Sequence, residues 1–131
     1  MTAGTIARQK NQTRDEPVGR RRVIADHAMD YLESLFSLAG QTAVVTGGAG
    51  AIGTVISDTL LRAGANVAIW SRTSESIAAF QARYDEEPAI CDRIAGFELD
   101  TGDEEAVARA LEQTERRFAL PDILVNGVGG N

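Results

Sequence analysis

The sequence has little of several residue types on which particular classes of site depend. Its 131 residues include one cysteine, Cys91, and one histidine, His27. A disulfide framework and a zinc site built on cysteines or several imidazoles are therefore excluded. Carboxylates alone could still form a metal site, but no motif indicates one. Lysine is equally scarce, because Lys10 is the only one in the chain.

Long apolar runs are also missing. No stretch reaches the roughly 18 consecutive apolar residues that span a bilayer, and the N-terminal residues lack the apolar centre of a signal peptide. The net charge of −6 disfavours a general nucleic-acid binder, because phosphate contacts need clustered Lys and Arg side chains. We therefore expect a cytoplasmic protein with a reduced cysteine that binds neither membranes nor nucleic acids.

The charge is unevenly distributed along the chain. Residues 1–28 carry a net charge of +3, whereas the remaining residues carry −9. The first segment has few large apolar residues and no sustained periodicity, so we expect it to be a disordered basic tail. The run Arg20-Arg21-Arg22 is interpreted as part of this solvated tail rather than as a targeting or nucleic-acid patch. Alternatively, residues 1–28 precede a true start at Met29, where a patterned sequence begins.

From Met29 onward, helix-like and strand-like segments alternate. Four short apolar runs are typical of buried strands, namely residues 42–45, 66–70, 94–99 and 123–125. Apolar residues at helical spacing separate these runs. Because successive parallel strands need right-handed helical crossovers, residues 29–131 are predicted to form a partial Rossmann-type α/β fold. It is a doubly wound parallel sheet, truncated after the fourth strand, whose uncovered edge favours association.

The candidate chemistry is concentrated in a glycine-rich turn between the first strand and the next helix. A dinucleotide pyrophosphate is bound by backbone N–H groups at a helix N-terminus, where a Cβ would obstruct its approach. Glycines also form ordinary tight turns, but a position between a buried strand and an amphipathic helix favours phosphate binding. The candidate cofactor-binding residues of this turn are Thr46, Gly47, Ala49, Gly50, Ala51, Ile52 and Gly53.

In this turn the sequence resembles the short-chain dehydrogenase/reductase family, whose motif is Thr-Gly-x-x-x-Gly-x-Gly. Thr46, Gly47 and Gly53 match the motif, and Ala51 replaces its middle glycine. The additional methyl group is expected to narrow the approach of the cofactor slightly without preventing binding. The resemblance implies an NAD(P)-dependent oxidoreductase that transfers a hydride to or from a carbonyl or secondary alcohol.

Further points of resemblance follow the third and fourth strands. Asp100 matches the Asp with which the family contacts adenine. Residues 121–126 match the segment that leads into the family's Asn-Asn-Ala-Gly motif and includes its first Asn. In this chain Gly127 replaces the second Asn of the motif, and Val128 replaces the Ala. The resemblance therefore implies cofactor contacts for Asp100, Asn126, Gly127, Val128 and Gly129.

Residues 31–40 (YLESLFSLAG) and 129–131 are similar to the branch of D-mannonate oxidoreductases within this family. That branch carries a Tyr-Leu-x-x-Leu-Phe-x-Leu segment before its first strand. The similarity implies a sugar-acid substrate such as D-mannonate or D-fructuronate, and the wider family implies homo-oligomeric full-length relatives. No residue of this chain indicates the substrate by itself.

The end of the second strand bears on the choice between NAD and NADP. An acidic residue there accepts hydrogen bonds from the ribose hydroxyls and repels a 2′-phosphate, whereas a basic residue does the reverse. Ser71 stands where NAD-preferring relatives carry Asp, Arg72 follows it, and Thr73 adds a hydroxyl. These residues favour NADP over NAD. Against this, Gly50 lacks the basic side chain of many NADP-preferring relatives, and Arg72 could simply be solvated.

The catalytic Tyr-x-x-x-Lys pair that the resemblance implies is absent from this sequence. In the family, the lysine lowers the pKa of the tyrosine that exchanges the proton. Here Leu35 and Pro88 stand four residues after Tyr31 and Tyr84, and the only lysine precedes both. The family places the motif beyond its fourth strand. We therefore assign no catalytic residue and expect a fragment that carries the cofactor-binding half of an oxidoreductase and is inactive alone.

Two other functions have some basis in the sequence. A non-catalytic nucleotide-binding fragment would use the same glycine-rich turn without any hydride transfer. A methyltransferase also carries a glycine-rich first turn, but it generally needs an acidic residue on the ribose, where this chain has Ser71 and Arg72. The methyltransferase is therefore disfavoured.

Overall fold

The computed structural model of the protein describes residues 18–129, with side chains from residue 23 onward. The chain divides between Leu35 and Phe36 into two compact units, and each is described by itself. Among the helices of the described residues, none combines the length and the apolar character needed to cross a membrane.

All of helix α1 (Val18–Phe36) except its last residue belongs to the first unit, and its side chains from Val23 onward are exposed. The structure differs here from the expected disordered tail, because residues 18–28 are helical. Ile24, Ala28 and Leu32 recur every four residues, so the apolar spacing extends to both sides of Met29. Residues 1–17 of the expected tail lie outside the described residues, and the alternative start remains a prediction.

The second unit is built on a parallel sheet of four strands, which run in the order β3-β2-β1-β4. The strands are β1 (Thr42–Thr46), β2 (Asn66–Ser71), β3 (Ile94–Glu98) and β4 (Ile123–Asn126). The chain passes from β1 to β2 and β3 on one side of the sheet and then returns to place β4 on the other side of β1. The strand order therefore reverses between β1 and β4. Such a switch point creates a crevice at the carboxyl ends of the strands, where ligands bind in open α/β sheets.

Helices cover both faces of the sheet, which confirms the doubly wound α/β prediction. They are α2 (Ala51–Arg62), α3 (Ser74–Gln81), the short α4 (Pro88–Cys91) and α5 (Glu104–Arg117), with a 3₁₀ turn at Ala82–Tyr84. One core contains Val45 with Leu61 of α2 and Phe80 of α3. The opposite core contains Val44 with Ala110 of α5. Adjacent residues of β1 thus feed opposite cores, as strand geometry requires.

The fourth strand is the least covered strand of the sheet. Ile123 and Val125 are partly buried against the first core, whereas Leu124 on the other face is 62% exposed. In the described sheet β4 is an edge strand, as the sequence predicted. Its register places Asn126 beside Thr46, which brings the end of β4 next to the glycine-rich turn.

Candidate functional site

The turn from β1 to α2 has a backbone that side chains would obstruct. Gly47 adopts a φ of +66°, a conformation that favours glycine. Its N–H donates to the carbonyl oxygen of Trp70 at 2.7 Å, and its own carbonyl oxygen accepts from the N–H of Gly50 at 2.9 Å. A Cβ at Gly53 would lie only 2.0 Å from the Gly47 carbonyl oxygen. The glycines at both ends of the turn are therefore required by its shape.

Helix α2 begins at this turn with an N-terminus suited to an anion. Its N-cap residue is Gly50, which supplies no side-chain hydrogen bond to the first turn. Its first turn therefore has N–H groups available to a phosphate, and the helix dipole favours negative charge at the same place. The structure thus fits the pyrophosphate-binding role that the sequence predicted for this turn.

A cavity of about 300 Å³ extends from this turn across the carboxyl ends of the strands. It brings together eight of the predicted cofactor-binding residues, which are Gly47, Ala49, Gly50, Ser71, Arg72, Gly127, Val128 and Gly129. It is also lined by Thr73, whose hydroxyl the sequence analysis counted in favour of NADP, and by four residues outside the prediction, which are Trp70, Ser76, Leu99 and Thr101. The cavity therefore joins four separate segments of the chain at the switch point of the sheet.

Four of the remaining predicted residues belong to the β1–α2 turn or to the end of β4, and they do not line the cavity. Ala51 and Ile52 are exposed at the start of α2, and the narrowing of the cofactor's approach expected from the Ala51 methyl group remains a prediction. Gly53 is buried beneath the turn. Asn126 ends β4 with its side chain exposed. Direct cofactor contacts for these four residues remain predictions.

Thr46 and Asp100 support the loops that line the cavity. Thr46 is buried, and its Oγ1 accepts a hydrogen bond from the N–H of Gly127 at 3.0 Å. The carboxylate of Asp100 accepts from the N–H of Gly102 at 2.9 Å, which shapes the loop between β3 and α5. The adenine contact expected for Asp100 remains a prediction, while its neighbours Leu99 and Thr101 line the cavity.

Gly127 explains one departure from the family motif. Its N–H also donates to the Thr46 carbonyl oxygen at 3.1 Å, so the backbone at the end of β4 lies directly against the end of β1. A Cβ at position 127 would approach that oxygen to 2.6 Å. The second Asn of the motif therefore does not fit this backbone, and a glycine takes its place.

Hydroxyl groups are concentrated where β2 runs into α3. The Oγ of Ser76 lies 2.9 Å from the Oγ of Ser71 and 2.9 Å from the Oγ1 of Thr73. Arg72 lies between Ser71 and Thr73 in sequence, with an exposed side chain. Ser76 was missed in the sequence analysis. The signal that could have found it is its position three residues after Thr73, the N-cap of α3.

The strongest pKa shifts among the described residues lie outside the lining of this cavity. Burial, together with a hydrogen bond to Asp58, raises the pKa of Tyr84 to about 12. The same hydrogen bond lowers the pKa of the Asp58 carboxyl. Tyr84 is buried in the first core and does not line the cavity, so it acts there as a structural residue.

Comparison with known proteins points to one family. A family model described as short chain dehydrogenase matches residues 41–131. An uncharacterized oxidoreductase of Bacillus subtilis, UxuB, is 38% identical over 95 residues, which are 72% of this chain and 33% of that protein. Gluconate 5-dehydrogenase of Gluconobacter oxydans is 34% identical over 72% of this chain and 36% of its own length.

A third relative and two solved structures extend this similarity. The 2-dehydro-3-deoxy-L-rhamnonate dehydrogenase (NAD(+)) of a Sphingomonas species is 32% identical over 70% of this chain and 34% of its own. The structure of 2-keto-3-deoxy-D-gluconate dehydrogenase from Streptococcus agalactiae has a TM-score of 0.70 and 26% identity, covering 79% of this chain and 38% of that one. The RhlG/NADP complex of Pseudomonas aeruginosa has a TM-score of 0.61 and 35% identity, covering 72% and 37%. The chain spans about a third of the length of these curated relatives.

Proposed function

The chain belongs to the short chain dehydrogenase family, and from that premise we propose that its second unit is the NADP-binding part of an oxidoreductase. The observation that carries the proposal is the continuity of the cavity. One wall is the glycine-rich turn at the N-terminus of α2, and another is the Ser71-Arg72-Thr73 segment at the end of β2. A dinucleotide needs both places, one for its pyrophosphate and one for its adenosine ribose.

The residues divide the binding work as follows. The backbone of Gly47, Ala49 and Gly50 lies where the pyrophosphate approaches the helix N-terminus. Arg72 offers a guanidinium that forms charge-assisted hydrogen bonds with a 2′-phosphate. The backbone of residues 127–129 closes the cavity from the β4 side. A bound nicotinamide would supply the hydride chemistry of the family.

The substrate is proposed to be a sugar acid or a related carbonyl or secondary alcohol. Two relatives, named for gluconate and for 2-dehydro-3-deoxy-L-rhamnonate, support this class, as does the structural neighbour named for 2-keto-3-deoxy-D-gluconate. The resemblance of residues 31–40 to D-mannonate oxidoreductases points to the same class. We further propose a cytoplasmic protein whose full-length form is homo-oligomeric.

We assign hydride transfer to a longer protein, of the length of the relatives, and not to this chain alone. Proton exchange with the substrate needs a tyrosine beside a lysine in this family, and the sequence contains no Tyr-x-x-x-Lys. The proposal for the 131-residue chain is therefore cofactor binding without turnover. A non-catalytic nucleotide-binding fragment would bind the cofactor in the same way. The two functions are distinguished in a longer protein of the relatives' length, where NADPH oxidation coupled to carbonyl reduction is measured.

The proposal is tested by isothermal titration of the chain with NADPH and NADH. Arg72→Ala is expected to weaken NADPH binding by about tenfold, because a charge-assisted hydrogen bond is worth about 1.5 kcal/mol or more, and to leave NADH binding unchanged. Arg109→Ala is the matched control, since Arg109 is an exposed arginine of α5. Equal affinity of the unsubstituted chain for both cofactors would contradict the NADP preference, and binding of neither would contradict the proposed function.

A further inference from the structure

The free edge of β4 carries no device that keeps another strand away. In the described sheet β4 has one neighbour, β1, so its other side presents backbone N–H and C=O groups that no strand of this sheet pairs. Proteins often protect such an edge with charged side chains or proline. Residues 123–129 contain neither, and the carboxylate of the preceding Asp122 accepts from the Thr42 N–H at 2.9 Å, on the β1 side of the strand. The edge is therefore open to pairing.

Apolar side chains remain exposed next to the same edge. Leu120 and Leu124 are 60% and 62% exposed, and Leu111 of α5 lies with them in the lining of an apolar groove. The strand at the opposite edge of the sheet differs, because Arg93 precedes β3 and Glu98 ends it. Unpaired backbone and exposed apolar surface therefore coincide at the β4 edge.

The sequence of β4 is complementary to itself in one register. When two copies of a strand pair antiparallel about a two-fold axis, residues directly opposite each other lie on the same face of the sheet. With the axis at Leu124, this residue meets its own copy, and Ile123 meets Val125 of the second copy. Leu124 lines the groove, whereas Ile123 and Val125 both pack against the first core. Each residue thus meets an apolar residue of its own face. An axis at Ile123 or at Val125 would instead place Leu124 opposite Asp122 or Asn126.

We propose that the 131-residue chain forms a homodimer in which two β4 strands pair antiparallel about a two-fold axis at Leu124 and join two four-stranded sheets into one. The two apolar grooves then lie side by side on one face of the joined sheet. A second copy is the occupant, because only residues 130 and 131 of this sequence follow the described residues, whereas a strand needs at least about three. The inference goes beyond cofactor binding and does not depend on it.

The size of this interface determines how strong the dimer is. It consists of two strands of four residues and the leucines of the groove. Such an interface is smaller than the roughly 1,200 Å² that stable complexes bury, so the dimer is a weak one that forms and dissociates with concentration. We expect a Kd of about 10 μM or weaker.

Sedimentation equilibrium of the 131-residue chain, from well below to well above this concentration, tests the proposal. Leu124→Lys is expected to weaken the dimer at least about tenfold, because it places two like charges opposite each other at the axis. Val55→Lys is the matched control, since Val55 is 66% exposed on α2 and does not line the groove. Thermal melting establishes that both variants are folded. A chain that stays monomeric at every concentration, or a dimer that both lysines weaken equally, would overturn the proposal.

Disulfide cross-linking tests the register. Cys91 is an exposed free cysteine, so the variants carry Cys91→Ser. Leu124→Cys is expected to form a covalent dimer on mild oxidation, because opposite residues of an antiparallel pair are close enough for a disulfide. Val125→Cys is the control, since in this register it lies diagonally from its own copy, at about 7–8 Å, beyond the reach of a disulfide. Non-reducing electrophoresis measures the covalent dimer. Cross-linking of Val125→Cys as fast as that of Leu124→Cys, or of neither variant, would show that the register is wrong.

Discussion

Gly127 shows how closely two strand ends meet at the candidate site. Its N–H is shared between the carbonyl oxygen and the Oγ1 of Thr46, at 3.1 and 3.0 Å. This contact fixes the backbone of residues 127–129 where it forms one wall of the cavity. The two strand ends can approach this closely because Gly127 has no side chain. A Cβ at this position would come within 2.6 Å of the Thr46 carbonyl oxygen.

Restoring the residue that the family usually carries at this position should therefore be harmful here. Gly127→Asn and Gly127→Ala are each expected to lower the free energy of unfolding by about 1–3 kcal/mol, the usual cost of forced overpacking. Urea denaturation measures the change. Gly129→Ala is the control, since a Cβ at Gly129 meets no atom within 4 Å. A Gly127→Asn variant as stable as the unsubstituted chain would show that this close approach is not limiting.

Much of the turn was predictable at the scale of single residues, whereas contacts between distant residues were not. The roles of Gly47 and Gly53 follow from a motif with fixed spacing on one continuous segment. The constraint on Gly127 depends on the register of β4 against β1, which no local pattern encodes. Ser76 was missed for a related reason, because its partners include Ser71, which precedes the helix and ends a strand.

At the scale of elements, a polar link joins α2 to the 3₁₀ turn. The Tyr84 hydroxyl donates to the Asp58 carboxylate at 2.5 Å, and Arg62 contacts the same carboxylate at 3.1 Å. The Tyr84 ring is buried and packs against Phe80, with 5.4 Å between the ring centroids. The link ties the end of the first crossover helix to the loop before β3, and it depends on two titratable groups.

Tyr84→Phe tests this link through the pH dependence of stability. The variant is expected to be about 1–2 kcal/mol less stable near neutral pH, because it loses a hydrogen bond to a charged group that is partly exposed. The pKa of Asp58 is lowered in the folded chain, so its contribution is present above pH 3.8 and is lost as the pH falls through the lowered value. Because the Tyr84→Phe variant lacks this hydrogen bond, its free energy of unfolding should fall less in acid than that of the unsubstituted chain.

The alkaline side of the same experiment has the opposite sign. The pKa of Tyr84 is raised from 10.0 to about 12, so its contribution is complete below pH 10 and is lost as the pH rises toward 12. Tyr84→Phe should remove that alkaline loss. Urea midpoints measured from pH 3 to 11 compare the two proteins. Parallel curves across the whole range would contradict the assignment of the titrating pair.

The elements themselves were predicted well, because each buried strand is a short apolar run. All four predicted strands are present, with ends that differ by a residue at most. Helix starts were less certain. The N-cap of α3 is Thr73, although the next residue, Ser74, is also of a type common at N-caps, and the N-cap of α5 is Asp103, whose carboxylate accepts from two backbone N–H groups. Several polar residues near a helix start satisfy the same capping rule, so the sequence does not choose among them.

At the scale of the whole second unit, the two faces of the sheet are unequally covered near β4. An apolar groove of about 430 Å³ lies on the face of α5. Its lining consists of Val44, Trp70, Val107, Leu111, Leu120, Pro121 and Leu124. Leu120 and Leu124 are each at least 60% exposed. Apolar surface of this kind binds apolar probes and promotes association.

Leu124 lines the apolar groove and Ile123 packs against the first core, so a substitution at Leu124 can change the groove without changing that core. Leu124→Thr is expected to reduce the fluorescence of an added apolar dye such as ANS while altering the free energy of unfolding by less than about 0.5 kcal/mol, as is usual for exposed positions. Ile123→Thr is the matched control, because Ile123 is half-buried on the opposite face. It should destabilise the unit and leave native-state dye binding unchanged. Equal dye binding by the Leu124 variant would place the probe elsewhere.

The sequence predicted the architecture of this unit but not the order of its strands or the extent of α1. Parallel strands with helical crossovers limit the possible topologies, yet the placement of β4 beside β1 is a property of the assembled sheet. The helical state of residues 18–28 was missed because a boundary at Met29 divided one apolar periodicity into two short pieces.

Trp70 has a consequence for how this molecule can be observed. It is the only tryptophan, it is 5% exposed, and its indole N–H donates to Thr114 at 3.3 Å. Trp70 is a lining residue of both the cavity at the ends of the strands and the apolar groove. The tryptophan emission therefore comes from a single buried residue that borders both cavities, so a molecule that enters either one is expected to change the signal. The chain carries its own optical reporter, and occupancy can be followed without a label.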